Sequence, residues 1–261
     1  MLPPLHATEG RISMSNIKAV FEHKKAFIPF VTAGDPDLET SERLIEQMSK
    51  SGADIIEIGI PFSDPIAEGA VIQQADLRAV SAGTTTDKIF DMLSRVGSKV
   101  ECPLVLVTYM NPIFVYGTDR FMKRCSECNI SGVIVPDTPF EEKEELAPSC
   151  DKYGVELILF ASCASYDRIK MIAKQAHGFL YCVGSENKSV SDAVSVAKSV
   201  SDIPCVVALE DATAEQASVA SKYADGVIVD TAIVKLIEKY GRDCQTPVCE
   251  FIKSMKLAIT Q

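Results

Sequence analysis

The sequence predicts a single (β/α)8 barrel, and three observations lead to that fold class. Short apolar runs alternate with longer helical patterns eight times along the 261 residues. The runs are continuously apolar, which is typical of strands buried on both faces of a parallel sheet. No stretch has the composition of a linker, so residues 15–261 are expected to form one domain. An open doubly wound sheet is the competing fold, but no GxGxxG motif follows a predicted strand.

Each predicted strand is a run of five to seven mostly aliphatic or aromatic residues. The eight predicted strands are Phe27–Thr32, Asp54–Ile60, Leu104–Tyr109, Gly132–Pro136, Val155–Phe160, Phe179–Val183, Pro204–Ala208 and Gly226–Asp230.

Between the strands, apolar residues recur at the three-and-four spacing of an amphipathic helix. Leu44, Ile45 and Met48 mark the first helix in this way. The acidic stretch Glu141–Glu145 is expected to form the solvated first turns of a helix, where the helix dipole favours negative charge. The predicted helices are Leu38–Ser51, Val71–Ala82, Thr86–Val96, Asp119–Cys128, Glu141–Tyr153, Tyr166–Gln175, Val190–Val200, Ala214–Lys222 and Pro247–Ile259.

Charge and composition exclude several classes of function. The formal net charge of −10 argues against nucleic-acid binding, which depends on Lys and Arg contacts to phosphates. No run approaches the 18 apolar residues of a membrane-spanning helix. Residues 1–14 lack the apolar core of a signal peptide and are expected to be a poorly ordered leader. A cytoplasmic location is therefore expected.

The cysteine and histidine residues do not predict a metal or redox centre. The chain has nine cysteines, an odd number in a chain too long to need disulfide bonds, so reduced thiols are expected. Cys125 and Cys128 form a CxxC motif without a second pair, and they are interpreted as neighbours on a helix. The three histidines are far apart in sequence, which argues against a histidine-based triad. No metal site is predicted.

A barrel of this class carries its active site at the carboxyl ends of the strands, which ranks the candidate residues. Glu57 is the foremost candidate, because it interrupts the apolar run DIIEIGI, where an ionised carboxylate is costly. Facing the pocket, it would serve as a general acid or base. The alternative is a core glutamate paired with a buried lysine or hydroxyl group. Glu68 on the following loop could approach Glu57, or it could be a solvated surface charge.

The remaining polar residues at strand ends have a structural interpretation. Asp35 and Asp64 each precede a proline, where Asp commonly fixes a turn. Asn111 precedes Pro112 in the same way, and Asp137 follows a proline at a strand end. Turn formation is favoured over catalysis for each of them.

The same segments resemble one protein family. The strings FIPFVTAGDPD, ADIIEIGIPFSDPIAEGAVIQ, YMNPIF and ADGVIV are similar to those of the tryptophan synthase alpha chain. The resemblance extends from about Phe21 to Tyr240, and the second string is long enough to be highly specific. The fold of that family is a (β/α)8 barrel, in agreement with the count of strands.

The resemblance implies a reaction, a set of site residues and a partner. Alpha chains cleave indole-3-glycerol phosphate by a retro-aldol reaction, and the indole passes to a beta chain that joins it to serine with pyridoxal phosphate. The alpha chain itself uses no cofactor. By resemblance, Glu57 would move protons, and Glu68, where the family has Asp, would hold the indole N–H. Phe30, Tyr109 and Tyr181 match positions that surround the indole. The positions that match the beta-facing surface are Pro61, Ser63, Asp64, Asn111 and Pro112.

The departures from the family concern the substrate phosphate. Where the family usually reads GFGIS after the seventh strand, this chain has acidic Glu210 and Asp211 and no glycine. After the eighth strand, Asp230-Thr231 replaces the usual GS. After the sixth strand, Gly184-Ser185 begins a short segment without the GVTG-type closing loop. Acidic groups would repel a phosphate, and missing glycines would remove close backbone N–H donors.

Three hypotheses about function remain open at this point. The first is an alpha chain in an α2β2 complex that mainly activates the beta chain, which converts indole and serine to tryptophan. The second is a working lyase with rearranged phosphate contacts. The third is a free-standing lyase for another phosphorylated substrate, which the acidic residues Glu210 and Asp230 argue against. The sequence favours the first.

Overall fold

A computed structural model describes residues 17–162, 165–184 and 189–260, and its eight parallel strands close into a barrel in the order β1 to β8. The predicted fold class is confirmed. Each strand pairs with the next one along the chain, and β8 returns to pair with β1. The strands are β1 Ala26–Thr32, β2 Ile56–Gly59, β3 Leu104–Val107, β4 Ile130–Ile134, β5 Glu156–Ser162, β6 Leu180–Val183, β7 Cys205–Leu209 and β8 Gly226–Val229.

Helices surround the barrel, and no helix in the described part of the chain is long and apolar enough to cross a membrane. Short 3₁₀ helices occupy Ile17–Phe21, Phe140–Glu145 and Gly241–Asp243. The α-helices are α1 Leu38–Lys50, α2 Ala70–Ser81, α3 Thr86–Val96, α4 Met110–Tyr116, α5 Thr118–Glu127, α6 Ala147–Tyr153, α7 Tyr166–Ala173, α8 Val190–Lys198, α9 Ala214–Ser221, α10 Thr231–Tyr240 and α11 Gln245–Thr260.

The apolar core has two layers, because successive side chains of a strand point to opposite faces. The larger layer lies between strands and helices and includes Ile56 and Ile58 of β2. The smaller layer fills the barrel interior at its amino end, where the buried side chain of Ile17 closes it from below. Ile17 fits there because β4 carries Gly132, at which a Cβ atom would lie 3.1 Å from Ile17 Cδ1.

The acidic side chain at the amino end of β2 is fully paired. Asp54 is 7% exposed and lies within 2.6 Å of Lys24 Nζ and 2.5 Å of Lys256 Nζ. It also accepts a hydrogen bond of 2.8 Å from the backbone N–H of Phe27. These contacts tie β1, β2 and α11 together at the end of the barrel opposite to the predicted site.

The structure differs from the predicted elements in three places. Helices α4 and α10 were not predicted, although both follow strands directly. The helix predicted over Glu141–Tyr153 is divided into a 3₁₀ helix and α6, because Pro148 near the start of α6 has no N–H to continue a helix from the preceding turn. The predicted leader at residues 1–14 lies outside the described residues.

Candidate active site

Glu57 points into the barrel near its carboxyl end. Its strand neighbours Ile56 and Ile58 belong to the outer layer, so the alternation of side chains turns Glu57 inward, level with Phe30 on β1. The side chain is 3% exposed, and the described residues offer its Oε1 no hydrogen-bond partner. Burial, followed by the charge of Asp230, raises the pKa of Glu57 to about 8. The shift favours the protonated carboxyl, which is what a group that gives a proton to a ligand requires.

Glu68 lies at the end of the loop that joins β2 to α2, and it is partly buried. The Tyr109 hydroxyl donates a hydrogen bond to its carboxylate, and the same hydroxyl accepts one of 3.0 Å from the backbone N–H of Ala67. Burial, followed by the charge of Asp76, raises the pKa of Glu68 to about 7. Glu68 is thus held against the barrel by a residue from the end of β3, unlike a freely solvated surface charge.

Aromatic side chains flank the two glutamates. Phe30 packs over Gly59, where a Cβ atom would lie 2.6 Å from Phe30 Cζ, so this contact requires glycine. The Tyr181 ring on β6 lies 4.7 Å from that of Phe160 on β5. Burial, and then the charges of Glu57, Asp230 and Glu210, raise the pKa of Tyr181 well above its usual value. The phenol therefore lies among three carboxyl groups.

Acidic groups also occupy the carboxyl ends of β7 and β8. Asp230 ends the turn after β8, and its carboxylate accepts a hydrogen bond from the backbone N–H of Thr231 at the first position of α10. Burial, and then the charge of Glu210 to a smaller extent, raise the pKa of Asp230. Glu210 is exposed at the end of β7, and its carbonyl oxygen accepts a 3.2 Å hydrogen bond from Ala232 N. Asp230 thereby uses the amide that a bound anion would use at a helix N-terminus.

The neighbouring loop after β6 is described only at its first residue. Gly184 is exposed directly after β6. Ser185, the other predicted phosphate residue of this loop, lies outside the described residues.

Two other acidic residues at strand ends make contacts with neighbouring helices, where their sequence context predicted the formation of turns. Asp35 is 1% exposed and pairs with Arg78, whose Nε and Nη2 lie 2.8 and 2.9 Å from its two oxygens. Asp137 accepts hydrogen bonds of 2.9 and 3.1 Å from the backbone N–H of Met110, at the start of α4. These contacts join β1 to α2 and β4 to α4, respectively.

The predicted partner-facing residues lie next to this site. Ser63 and Asp64 are exposed on the β2–α2 loop, and Asn111 is exposed on α4, while Pro61 and Pro112 are partly buried. The ring of Phe62 lies 5.4 Å from that of Tyr109, which brings the loop and the start of α4 together. Three large apolar side chains in the same two segments were not predicted from the sequence to belong to this surface, and they are 73% to 79% exposed: Ile66, Phe114 and Val115.

The CxxC cysteines lie apart from the site. Cys125 is in α5 and Cys128 follows its last residue, and both are buried. Burial raises the pKa of the Cys128 thiol to about 11 and that of Cys125 well above its usual value. Among the described residues, no three His, Cys, Asp or Glu side chains are arranged to hold a metal ion.

The fold and the site together define the class of protein. It is a (β/α)8 barrel with protonatable carboxyl groups at the carboxyl ends of its strands, which is where enzymes of this fold carry their active sites. Residues 15–259 match the family model described as tryptophan synthase alpha chain. The alpha chain of Lacticaseibacillus casei is 39% identical over 255 residues, covering 94% of this chain and 96% of that protein. The alpha chain of Geobacter sulfurreducens is 38% identical over 262 residues, covering 94% and 99%. The chain belongs to the tryptophan synthase alpha chain family.

Solved structures are similar to this fold over nearly its full length. The tryptophan synthase subunit alpha of Legionella pneumophila superposes with a TM-score of 0.88 at 34% identity, covering 95% of this chain and 99% of that one. A chain of Mycobacterium tuberculosis tryptophan synthase superposes with a TM-score of 0.87 at 26% identity, covering 95% and 99%.

Proposed function

We propose that this chain serves tryptophan biosynthesis mainly as the subunit that activates a tryptophan synthase beta chain, which converts indole and serine to tryptophan. The observation that carries this proposal is the presence of acidic residues at the carboxyl ends of β7 and β8. Asp230 occupies the first N–H of α10 with its own carboxylate, and Glu210 stands beside it. This is the region in which a (β/α)8 barrel commonly binds phosphate.

Electrostatics explains why these groups would weaken binding of a phosphorylated substrate. One pair of like charges at ~4 Å costs about 4 kcal/mol at an effective dielectric constant of ~20. Solvent lowers that cost at exposed Glu210, but partly buried Asp230 is screened less. Asp230 would also have to release the Thr231 N–H before a phosphate could accept it.

The residues around Glu57 would bind the uncharged part of the substrate. By resemblance to the family, Glu57 would exchange protons with the indole C3 and the glycerol hydroxyl, and Glu68 would hold the indole N–H. Phe30, Tyr109 and Tyr181 offer ring faces on which an indole could pack. Indole carries no charge, so the acidic groups of β7 and β8 would not repel it.

The partner would be a beta chain in an α2β2 complex, and it would carry the pyridoxal phosphate. Support comes from the exposed apolar side chains beside the predicted partner-facing residues Ser63, Asp64 and Asn111. Three such side chains in two adjacent segments are typical of a surface that is covered in a complex.

The second candidate is a competent lyase with rearranged phosphate contacts. The retained arrangement of Glu57, Glu68 and Tyr109 favours it, because both carboxyl groups have a pKa near neutrality. General acid–base catalysis is most effective in that range.

The deciding experiment measures both reactions in the reconstituted complex with the cognate beta chain. Indole release from indole-3-glycerol phosphate and tryptophan formation from indole and serine would be followed in parallel. The proposal expects a several-fold rise in the beta reaction with little or no indole release. Robust indole release would instead support the lyase, and an unchanged beta reaction would exclude the activating role.

A further inference from the structure

A buried acid outside the predicted site lies between the β2–α2 loop and the barrel. Asp76 of α2 is 5% exposed, and its helix neighbours Ile72 and Ala75 pack with Phe30 in a small apolar cluster. Arg78, two residues further along α2, is already paired with Asp35 and Glu238. No ion pair to Asp76 occurs within the described ranges 17–162, 165–184 and 189–260. A buried acid without a cationic partner is costly, which suggests a role beyond stability.

The position of Asp76 relates it to both ends of the β2–α2 loop. Its Oδ2 accepts a hydrogen bond of 3.4 Å from the backbone N–H of Phe62, near the start of the loop. Glu68 lies at the other end, where Tyr109 holds it. The charge of Asp76 contributes to the raised pKa of Glu68, second only to burial. Described contacts join the two ends: the ring of Phe62 lies 5.4 Å from that of Tyr109, and Tyr109 donates its hydrogen bond to Glu68. Asp76 thus contacts the partner-facing end of the loop, and this contact is connected to the carboxyl at the site-facing end.

We propose that Asp76 is a positioning residue that anchors the partner-facing loop through the Phe62 amide and controls the charge of the Glu68 carboxyl. This inference rests on the proposed function for the roles given to the loop and to Glu68. Displacement of the loop by a partner would remove the Phe62 N–H from Asp76 and change the field at Glu68. Because such coupling is reciprocal, the protonation of Asp76 would equally change the free energy of loop displacement.

The surrounding charges make this coupling sensitive to pH near neutrality. Burial is the largest influence on Asp76 and raises its pKa to about 7. Hydrogen bonding to the Phe62 amide and the Thr32 side chain opposes this increase, and the charge of Asp35 on the β1 side adds to it. Glu68 faces it from the loop, and Asp137 at the end of β4 acts on Glu68 in the same direction. Arg78 compensates Asp35 rather than Asp76. The pKa values of Asp76 and Glu68 are thus both raised towards neutrality, and the charge of Asp76 contributes to the shift of Glu68.

The direct test is a carboxyl titration of the isolated chain by ¹³C NMR between pH 4 and 10. The variants are D76N, which retains an oxygen acceptor for the Phe62 amide, and D76A, which removes it. E238Q is the control, because it removes an exposed acid that also packs against α2 through Arg78. D76N and D76A are expected to lower the Glu68 pKa by roughly half a unit or more, and E238Q to leave it unchanged.

Hydrogen exchange of the Phe62 amide is the second readout. Faster exchange is expected in D76A than in the parent chain, with recovery in D76N. An unchanged Glu68 titration in D76N overturns control of its charge, and unchanged Phe62 exchange in D76A overturns the anchor. Both measurements use the α chain alone, so they decide the inference even if the complex shows no activation of the beta chain. Circular dichroism of each variant would verify that it is folded.

The partner assay then separates positioning from simple loss of structure. In the complex, the pH profile of beta activation is expected to shift to lower pH in D76N with its maximum largely retained. D76A is expected to lose part of the maximum as well. A D76N profile that superimposes on the parent profile would contradict the proposed control of Glu68 in the working complex.

Discussion

The carboxyl ends of β2 and β3 contrast with those of β7 and β8. On the first side, Glu68 receives a hydrogen bond from Tyr109, and Glu57 is buried with one oxygen that has no hydrogen-bond partner among the described residues. On the second side, Asp230 satisfies the N-terminus of its own helix. One side keeps a protonatable group without a full set of hydrogen bonds, and on the other side the carboxylate of Asp230 uses the first N–H of its own helix. Under the proposed function, we therefore expect that proton transfer and phosphate binding can be changed separately in this barrel.

The largest expected effect comes from removing the proton-transfer group. E57Q should reduce any indole release by more than about 10²-fold, since general acid–base catalysis contributes 10²–10⁴-fold. Activation of the beta chain should remain, because the exposed loop and α4 do not depend on Glu57. Initial rates of both reactions in the complex provide the measurement.

A matched control for E57Q is available at the other end of the barrel. Glu156 begins β5 and also has a raised pKa of about 7 through burial. E156Q should leave indole release unchanged. Equal loss of both reactions in E57Q would contradict the separation of roles between the two sides.

The next largest expected effect concerns anion binding at the carboxyl ends of β7 and β8. E210G should strengthen phosphate or sulfate binding about tenfold, which is less than the full Coulomb cost because Glu210 is exposed. Calorimetric titration with inorganic phosphate provides the measurement. The control is D202N, which removes an exposed acid before the start of β7. The same affinity for both variants would mean that Glu210 does not repel anions.

The strands and helices that were predicted, and the two helices that were not, show which structural features local sequence patterns encode. All eight strands were predicted because continuous apolar runs report burial on both faces. Helix α4 was missed because Asn111-Pro112 was interpreted as a loop, although proline is compatible with the first turn of a helix. Helix α10 was missed although Ile233, Val234 and Ile237 have helical spacing. The helical spacing of α10 is therefore visible in the sequence itself.

The candidate site was predictable in its residues and less so in its contacts. Glu57 stood out because a charged group within an apolar strand is recognisable from sequence alone. The hydrogen bond between Tyr109 and Glu68 joins residues 41 positions apart, so no local pattern predicts it. Asp76 resembles an ordinary polar position of an amphipathic helix, and its burial depends on how α2 packs on the barrel.

A smaller effect tests the partner-facing loop. Asp64 is exposed and accepts a hydrogen bond of 2.6 Å from the Ser63 hydroxyl. D64A should lower beta activation several-fold and change the free energy of unfolding by no more than about 0.5 kcal/mol, as is usual for surface positions. D243A, at an exposed position between α10 and α11, is the control. Full activation of the beta chain by the D64A variant would show that Asp64 does not contribute to the interface.

The smallest expected effect tests a partly buried acid away from both sides. Glu156 Oε2 contacts no hydrogen-bond partner among the described residues, and burial raises the Glu156 pKa to about 7. A raised pKa means that the folded state binds the proton more tightly than the unfolded state. The contribution of this group to stability is therefore complete below about pH 4, near its unfolded pKa, and declines as the pH rises through about 7.

E156Q removes this titration while preserving most of the side-chain volume. Its melting temperature relative to the parent chain should therefore rise by a few degrees, about 2–4 °C per kcal/mol, between pH 5 and pH 8. Thermal unfolding at both pH values provides the measurement. E144Q, which changes an exposed acid on a neighbouring 3₁₀ helix, should show no such pH dependence. A pH-independent difference for E156Q would mean that Glu156 remains ionised, with its charge compensated in the folded chain.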